Sequence, residues 1–390
     1  MVASVRSGRS EREVAREFHV ALSTVQLWVG RAAGKRLDRA DWSDRSACPH
    51  HPAHKTASSM ETQVLKLRQE LKASALGEFG AAAIYAALLE AGEVLVPCER
   101  TIHRILVRKG ALDVRRRVRR PAPPLGWYLP DAAARRAEID EVDIVTGLVI
   151  AGGLDVEVLN LISLHGGQVG SFPSGPIHVR QVREALICHW QGLGLPAYAQ
   201  FDNDTRFLGP TNRADILGTV ARMCLSLGII PVFAPPRETG FQAAVESYNC
   251  RWQDKVWHRF QHASLENLVE RSDRYVAASH RRHAQRADAA PARQPFPDGW
   301  QLSKDRLQAY PSGRVVFIRR TNSHGEASVL GHVILVDEHW VHRLVRCELD
   351  LDAACMRFFG LRRAEPDRQP LLCEHEYRLP RWRSRIPDMD

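Results

Sequence analysis

The chain contains E-V-D-I-V at residues 141–145, A-Q-F-D-N-D at 199–204 and F-Q-A-A-V-E-S-Y-N at 241–249. Asp143 lies inside an apolar strand pattern, Asp202 ends a second strand pattern, and Glu246 lies in a helical pattern after the loop P-P-R-E-T-G. A carboxylate within a strand pattern costs desolvation energy unless it has a partner. Two strand-borne acids and one helix-borne acid predict a shared divalent cation, and hard oxygen ligands select Mg²⁺ or Mn²⁺.

The segments around these acids alternate in type. Strand patterns cover 141–145, 156–164, 197–201 and 229–233, and helical spacing covers 179–191, 215–227 and 241–260. Strands followed by alternating helices and strands predict a mixed sheet flanked by helices.

The three motifs resemble the catalytic core of bacterial insertion-sequence transposases in the retroviral-integrase superfamily, the DDE enzymes with an RNase H-like fold. The matching features are V-D-I-V, F-D-N and A-P-P-R-E-T-G-F-Q-A-A-V-E-S-Y-N, and the resemblance covers residues 141–260. It implies that Asp143, Asp202 and Glu246 are both the catalytic residues and the metal ligands.

Two neighbours of these acids are predicted to support them. Asn203 follows Asp202 directly, and Asn249 lies one turn after Glu246 on the same helical face. Asp140 competes with Asp143 as the first ligand, and Asp143 is favoured because Val142 and Ile144 flank it. Ordinary turn and surface positions are the alternatives for the second and third acids.

The net charge of +9 is concentrated at one end of the chain. Residues 1–120 hold 22 Lys and Arg against 13 Asp and Glu, and the remainder holds 32 of each. A basic N-terminal third predicts a polyanionic partner, most simply double-stranded DNA. The eight cysteines form no CxxC pair, which favours reduced thiols.

Helix-turn-helix patterns occur twice in this basic region. In residues 10–31, Val14, Ala15 and Phe18 form one apolar face, and Ser23 is the predicted cap of a second helix. A second unit runs from 61 to 110, with an apolar face that includes Ile102, Ile105 and Leu106. The predicted DNA contacts of the two units are Thr24, Gln26, Arg31, Arg100, His103, Arg104 and Arg108. A helical scaffold without DNA contacts is the alternative for each.

The connectors are less regular. Residues 38–59 are a polar linker in which Cys48 and three histidines lack the spacing of a zinc site. Arg115, Arg116 and Arg117 open a basic run before P-A-P-P, which predicts an extended connector along phosphates. Short strand patterns at 312–359 predict a small β-barrel, with Arg319, Arg320, His324 and Arg343 as candidate DNA contacts or as part of an oligomer scaffold.

The predicted fold is therefore multidomain, with N-terminal all-α helix-turn-helix units, a central α/β RNase H-like core with a mixed sheet, and a small C-terminal β-barrel. The predicted boundaries are 1–37 and 60–112 for the helix-turn-helix units, 38–59 and 113–134 for linkers, 135–290 for the core, 310–362 for the barrel and 363–390 for a tail.

The predicted function is a DDE-type DNA transposase or integrase that cleaves and transfers strands of a mobile element. Its expected partners are element ends, target DNA and further copies of the chain, as a dimer or larger assembly. A catalytically inactive DNA-binding regulator and an RNase H-like nuclease without joining activity are the alternatives. No apolar run has the roughly 20 residues of a membrane helix, so a bacterial cytoplasmic, nucleoid-associated location is expected.

Overall fold

The chain is described by a computed structural model that covers residues 1–43, 56–112, 124–210, 213–238 and 240–380. It divides into two units, Met1–Glu61 and Thr62–Asp390. Within the described residues, no helix is both long and apolar enough to cross a membrane.

The first unit contains α1 (Val2–Arg6), α2 (Glu11–Glu17) and α3 (Leu22–Ala32). Ser10 caps α2 in a capping box with Glu13, which satisfies two backbone N–H groups that the helix leaves unpaired. The predicted cap at Ser23 is wrong, because α3 begins two residues earlier than that cap implies, at Leu22, with Ala21 at its cap position. Val14 and Val25 are fully buried between α2 and α3, whereas Phe18 is 45% exposed rather than part of the buried face.

Three further helices follow: α4 (Ser58–Ala73), α5 (Ala81–Glu90) and α6 (Glu99–Arg108). The predicted apolar face of α6 is confirmed, since Ile102, Ile105 and Leu106 are buried, and they lie with Ile84 and Leu88 of α5 among the buried residues. Contacts tie α4 to the rest of the second unit, where Arg259 donates to the carbonyls of Ala73 and Ser74 at 2.9 and 2.6 Å.

A mixed sheet forms the centre of the second unit. Its first strands, β1 (Ile139–Ile150), β2 (Leu154–Ser163) and β3 (Val169–Ser174), run antiparallel, and β4 (Tyr198–Phe201) and β5 (Ile230–Phe233) lie parallel on the other side of β1. The helices around it are α7 (Pro130–Ala133), α8 (Val179–Leu193), α9 (Thr205–Leu208), α10 (Thr219–Ser226), α11 (Ala243–Trp252), α12 (Leu265–Arg282), α13 (Ala284–Asp288) and α14 (Lys304–Gln308). The predicted mixed sheet flanked by helices is thus present.

Side chains alternate between the two faces of the sheet because successive strand residues point in opposite directions. Leu159 and Leu161 of β2 join a cluster with Trp190 of α8, whereas Val158 joins a cluster with Trp252 of α11. Asp143 shares the α11 face, and this placement brings it to the glutamate helix.

The C-terminal strands continue the same sheet. β6 (Arg314–Arg320) pairs in parallel with β5, and β9 (Leu344–Asp350), β10 (Cys355–Leu361) and β11 (Leu371–Glu376) follow antiparallel. Only β7 (Glu326–Val329) and β8 (His332–Leu335) form a separate pair within the described residues. The nine-stranded order is β11-β10-β9-β6-β5-β4-β1-β2-β3.

This architecture differs from the separate β-barrel predicted for 310–362. The physical reason is the outer edge of β5, which would leave backbone N–H and C=O groups unpaired if β6 did not add to it. Phe317 of β6 packs against Phe233 of β5 with ring centroids 5.3 Å apart, so the two regions share one core.

Two predicted connectors are also more structured than expected. Trp127, Tyr128 and Leu129 lie within the predicted linker 113–134 but are buried in a cluster with Ile139. The predicted tail from 363 supplies β11. Residues 113–123 and 381–390 lie outside the described residues, as does 44–55 with its cysteine and histidines.

Candidate active site

The three predicted acids are carried by three elements that meet on one side of the sheet. Asp143 lies in the middle of β1, Asp202 directly follows β4, and Glu246 lies in the first turn of α11. β1 and β4 are hydrogen-bonded neighbours, and α11 contacts β1. Asp143 and Asp202 are partly buried and Glu246 is exposed.

The pKa of the Asp143 carboxyl is shifted by its surroundings. Burial, together with the smaller effects of the negative charges of Asp202 and Glu246, raises its pKa from 3.8 to about 6. A backbone N–H at Ile144 and the side chain of Asn249 act in the opposite direction. Both of the other predicted acids are therefore close enough to repel Asp143, which a divalent cation between them would relieve.

Asn249 is hydrogen-bonded to Asp143. Its Nδ2 donates to Asp143 Oδ2 at 2.7 Å, and its Oδ1 accepts from Asn160 Nδ2 at 2.8 Å. The chain of hydrogen bonds continues, because Ser171 Oγ donates to Asn160 Oδ1 at 2.7 Å and lies 2.6 Å from Tyr248 Oη. Since each polar group in this buried network has a partner, the network holds the Asp143 carboxylate in one orientation.

Asp202 lies in a tight turn. Its Oδ1 accepts from the backbone N–H of Asp204 at 3.0 Å, while burial and the charge of Asp204 raise its pKa. Asp204 itself is bound by Arg206 at 2.7 Å, which pairs with Glu157 as well. The turn weighed as the alternative for Asp202 is thus present, and the charge of Asp202 also contributes to the raised pKa of Asp143.

Asn203 points to the backbone rather than to the acids. Its Nδ2 donates to the carbonyl of Ala234 at 2.6 Å, at the end of β5. Arg319 donates to the same carbonyl at 3.3 Å. Asn203 therefore fastens the β4 turn to the segment that leads toward α11.

Glu141 is a residue that sequence reasoning missed. It is buried two positions before Asp143 on the same strand face, and its Oε2 accepts from the N–H groups of Ala244 and Val245 at 3.1 and 3.0 Å. Burial raises its pKa to about 7, and the charge of Glu246 contributes. The carboxylate thereby binds the N-terminus of the glutamate helix to β1. The E-V-D alternation was the available signal, because it places both acids on one face.

The segment before α11 is held by a second buried contact set. Gln200 of β4 donates through Nε2 to the carbonyl of Phe241 at 2.5 Å, and Tyr128 Oη donates to the same carbonyl at 3.2 Å. Tyr128 also donates to Gln200 Oε1. These bonds hold the residues just before α11 against β4 and against Tyr128.

Asp140, the alternative first ligand, has a different role. It is fully buried, and both of its oxygens are bound by Arg293, at 2.9 and 2.6 Å. Trp190 Nε1 donates to it at 3.0 Å, and against the effect of burial these partners hold the pKa of Asp140 below its usual range. A carboxylate engaged in this way is a structural ion pair, which leaves Asp143 as the candidate ligand on β1.

A metal ion suits the donor set by its chemistry. The candidate ligands are carboxylate oxygens, which Mg²⁺ and Mn²⁺ prefer, and the mutual repulsion at Asp143 is of the kind that a cation relieves. In the described part of the chain, no three or more His, Cys, Asp or Glu side chains are already arranged to hold a metal.

The predicted DNA-contact residues fall into three groups. On α3, Gln26 is exposed and donates to Glu11 at 3.3 Å, Thr24 is partly buried, and Arg31 lies 4.5 Å from the Trp28 ring. On α6, all four predicted residues are exposed: Arg100, His103, Arg104 and Arg108. Arg115, Arg116 and Arg117 lie outside the described residues.

One of the C-terminal candidates is excluded by its burial. Arg319 is 8% exposed, burial lowers its pKa to about 10, and its guanidinium binds the backbone carbonyls of Ala234, Ser328 and Ile318. Arg320, His324 and Arg343 are exposed.

Comparison with known proteins yields structural neighbours only. No protein-family model matches the chain, and no curated protein matches it. The chain is similar to the HTLV-2 integrase catalytic core domain in complex with magnesium, whose dimeric form shares 15% identity over 40% of this chain and 86% of that chain, with a TM-score of 0.27. The trimeric form shares 15% identity over 34% and 80%, with a TM-score of 0.26.

A third neighbour is larger. The simian T-cell lymphotropic virus intasome in complex with PP2A regulatory subunit B56 gamma shares 14% identity over 70% of this chain and 87% of that chain, with a TM-score of 0.33. At these scores the likeness carries no conclusion about chemistry, which rests on this chain's own side chains.

Proposed function

We propose that the chain is a metal-dependent polynucleotidyl transferase, a DNA transposase or integrase that cleaves and joins the ends of a mobile element. The observation that carries the proposal is the raised pKa of Asp143, which arises from burial and from the charges of Asp202 and Glu246. Asp202 and Glu246 lie 59 and 103 residues after Asp143 in the sequence, and the charge of each contributes to the raised pKa of Asp143. Carboxylates with perturbed pKa values and specific charged partners are typical of functional sites.

Bound Mg²⁺ or Mn²⁺ would supply an activated nucleophile and stabilise the leaving oxygen of a phosphodiester. Asp143, Asp202 and Glu246 are the residues that would hold the ions. Asn249 keeps the Asp143 carboxylate oriented, and Glu141 keeps the first turn of α11 against β1. No covalent protein intermediate is required, because displacement at phosphorus depends on positioning and charge.

The remainder of the chain fits a DNA substrate. The exposed basic face of α6 and the positive charge of residues 1–120 complement a phosphate backbone. Handling two element ends and a target together requires more than one copy of the active site, so we propose that the chain acts as a dimer or larger assembly.

The decisive experiment measures cleavage and joining separately. Purified chain is incubated with Mg²⁺ or Mn²⁺ and a duplex that carries the inverted repeats flanking its coding region, and nicked and joined products are resolved on gels. Asp202→Asn is expected to abolish both products while DNA binding is retained. Asp155→Asn, at an exposed aspartate of β2, is the matched control and is expected to behave as the unmodified chain.

The outcomes separate the alternatives. Binding without any metal-dependent nick would make the chain a DNA-binding regulator, and nicking without joined product would make it a nuclease. Either result overturns the proposed strand transfer, and so does joining that persists in Asp202→Asn.

A further inference from the structure

A concave surface rich in arginine lies on the C-terminal strands. It has a volume of about 480 Å³, and we call it the arginine cleft after five of its lining residues, Arg320, His342, Arg343, Arg362 and Arg363. All five are exposed. They come from the end of β6, the connection before β9 and the segment after β10, so the parallel β5–β6 pairing and its antiparallel neighbours assemble the cleft.

A buried tryptophan forms part of the support of the cleft. Trp340 is 6% exposed, and its Nε1 donates to the carbonyl of Leu344 at 3.0 Å. The guanidinium carbons of Arg343 and Arg362 lie 5.0 and 5.1 Å from its ring. An arginine that stacks on an aromatic ring keeps N–H donors at the edge of its planar group, which suits the bidentate recognition of phosphate.

One arginine of the cleft is already paired with an acid of the chain. Glu238 accepts from Arg320 Nε, and the hydrogen bond and charge of Arg320 hold the pKa of Glu238 below its ordinary value. Arg320 also donates to the carbonyl of His342. Glu365 contacts Arg362 at 3.4 Å at the rim. Glu238 belongs to the P-P-R-E-T-G loop that leads to α11, so the cleft is tied directly to the segment preceding Glu246.

We propose that the arginine cleft binds the phosphodiester backbone of double-stranded DNA and that Glu238 holds the same position when DNA is absent. The proposal deepens the proposed function and rests on it for the identity of the polyanion. A phosphate and the Glu238 carboxylate are both anions that Arg320 pairs with, and their mutual repulsion makes them competitors for one guanidinium. The cleft therefore couples DNA occupancy to the loop that precedes α11, the helix that carries the third acid.

The test uses the full chain, a short DNA duplex of random sequence and EDTA in place of metal, with affinity measured by fluorescence anisotropy. Glu238→Gln is expected to bind about threefold more tightly, because removing an exposed ion-pair partner frees Arg320. A misfolded variant would not bind more tightly, so a gain in affinity cannot be caused by misfolding. Glu270→Gln is the matched control, since Glu270 forms an exposed ion pair with Arg274 on α12 and carries the same charge.

The loss-of-contact variants use the dependence of affinity on salt. Arg320→Gln is expected to weaken binding and to reduce the slope of log Kd against log salt by about 1, and Arg343→Gln with Arg362→Gln by about 2. Arg274→Gln should leave the slope unchanged. Thermal melts of every variant check that the fold is retained.

Three results would overturn the inference: no gain in Glu238→Gln beyond that in Glu270→Gln, unchanged slopes in the folded arginine variants, or tighter cleft-dependent binding of an RNA duplex of the same sequence. These binding measurements need no catalysis. A chain that shows the cleft dependence but never nicks DNA would overturn only the proposed function, and a chain that nicks DNA without this dependence would overturn only the cleft.

Discussion

At the scale of single residues, burial and neighbouring like charges make the ionised form of Asp143 unfavourable in the folded chain. Asp143 is partly buried beside two like charges, and a hydrogen bond from Asn249 compensates only part of that environment. Such placement destabilises the metal-free protein and favours a bound cation. A partly buried carboxylate that forms no ion pair among the described residues is thus a mark of function rather than of stability.

Asp143→Asn is expected to stabilise the metal-free chain at pH 7.5. The folded-state pKa of about 6 exceeds the ordinary value of 3.8. The folded state therefore binds more protons than the unfolded state between these values, and stability falls as pH rises through that window. Asparagine removes this loss, on the order of 1–2 kcal/mol after allowance for partial solvent access. Thermal melts in EDTA measure it.

The pH dependence supplies the control. The advantage of Asp143→Asn should shrink as pH falls from 7.5 toward 5, whereas Asp155→Asn should show no such trend. A variant that melts no higher than the unmodified chain at pH 7.5 would contradict the assigned electrostatics. Added Mg²⁺ should raise the melting temperature of the unmodified chain but not that of Asp143→Asn, because only a competent site gains binding energy.

Part of the residue-level arrangement was accessible from the sequence. Helical spacing placed Asn249 one turn after Glu246 as a neighbour for a metal, a carboxylate or a phosphate, and in the structure its partner is Asp143 at 2.7 Å. The hydrogen-bond partners of Asn203 and Asp140 could not be predicted from the sequence, because these partners, Ala234 and Arg293, are 31 and 153 residues away. No local pattern specifies which distant group a polar side chain will meet.

At the scale of elements, the glutamate helix is positioned by an acid from a neighbouring strand. Glu141 replaces the usual local cap of α11, whose own cap position, Gln242, makes no side-chain cap bond. A carboxylate at a helix N-terminus satisfies unpaired N–H groups and interacts favourably with the helix dipole. The register of α11 on β1, and hence the place of Glu246, depends on this contact.

Substitutions at Glu141 should separate hydrogen bonding from charge. Glu141→Ala leaves two N–H groups without an acceptor and is expected to cost about 1–3 kcal/mol, together with a lower kcat for cleavage. Glu141→Gln keeps an acceptor oxygen and removes repulsion with Glu246, so it should retain both stability and activity. Urea unfolding and single-turnover cleavage measure the two effects. Equal loss in both variants would refute a positioning role based on the acceptor oxygen.

The ion pair between Asp140 and Arg293 joins β1 to the segment that follows α13. Arg293→Met leaves the fully buried Asp140 without its charged partner and should destabilise the chain by about 3–5 kcal/mol. Asp140→Asn combined with Arg293→Met should recover a large part of that loss, because no unpaired charge remains. Chemical denaturation of the single and double variants tests this. A double variant no more stable than Arg293→Met would contradict the account.

Element types were predicted more accurately than element partners. Strand alternation at 312–359 identified strands correctly, yet it gave no information on which sheet they join. Pairing with β5 depends on an open edge and on complementary buried faces, and both are properties of the assembled sheet. Trp127, Tyr128 and Leu129 were assigned to a linker for the same reason, since their burial depends on elements far along the chain.

At the scale of the second unit, the strands of the candidate site and the C-terminal strands form one sheet with a shared core. Phe358 of β10 is fully buried in the cluster that also contains Phe201 of β4. A substitution that destabilises one part of such a core should therefore destabilise all of its strands. Two independent domains would respond separately.

Phe358→Ala is expected to cost about 3–5 kcal/mol by leaving a cavity in this core. Hydrogen exchange followed by mass spectrometry should show β1 and β9 losing protection together, because they belong to one cooperative unit. Val2→Ala, in the first unit, should leave both strands unchanged. Loss of protection confined to β9 and β10 would favour the separate domain that the sequence predicted.

The parallel joining of β5 to β6 has a geometric consequence. Backbone hydrogen bonds run without interruption from the acids on β1 and β4 to the arginines at the end of β6. Under the proposed function, the sheet fixes the distance between the arginine cleft, where a duplex would bind, and the acids, where its strand would be cut. The scissile phosphate should lie at a constant offset from the protected backbone, whatever the base sequence between them.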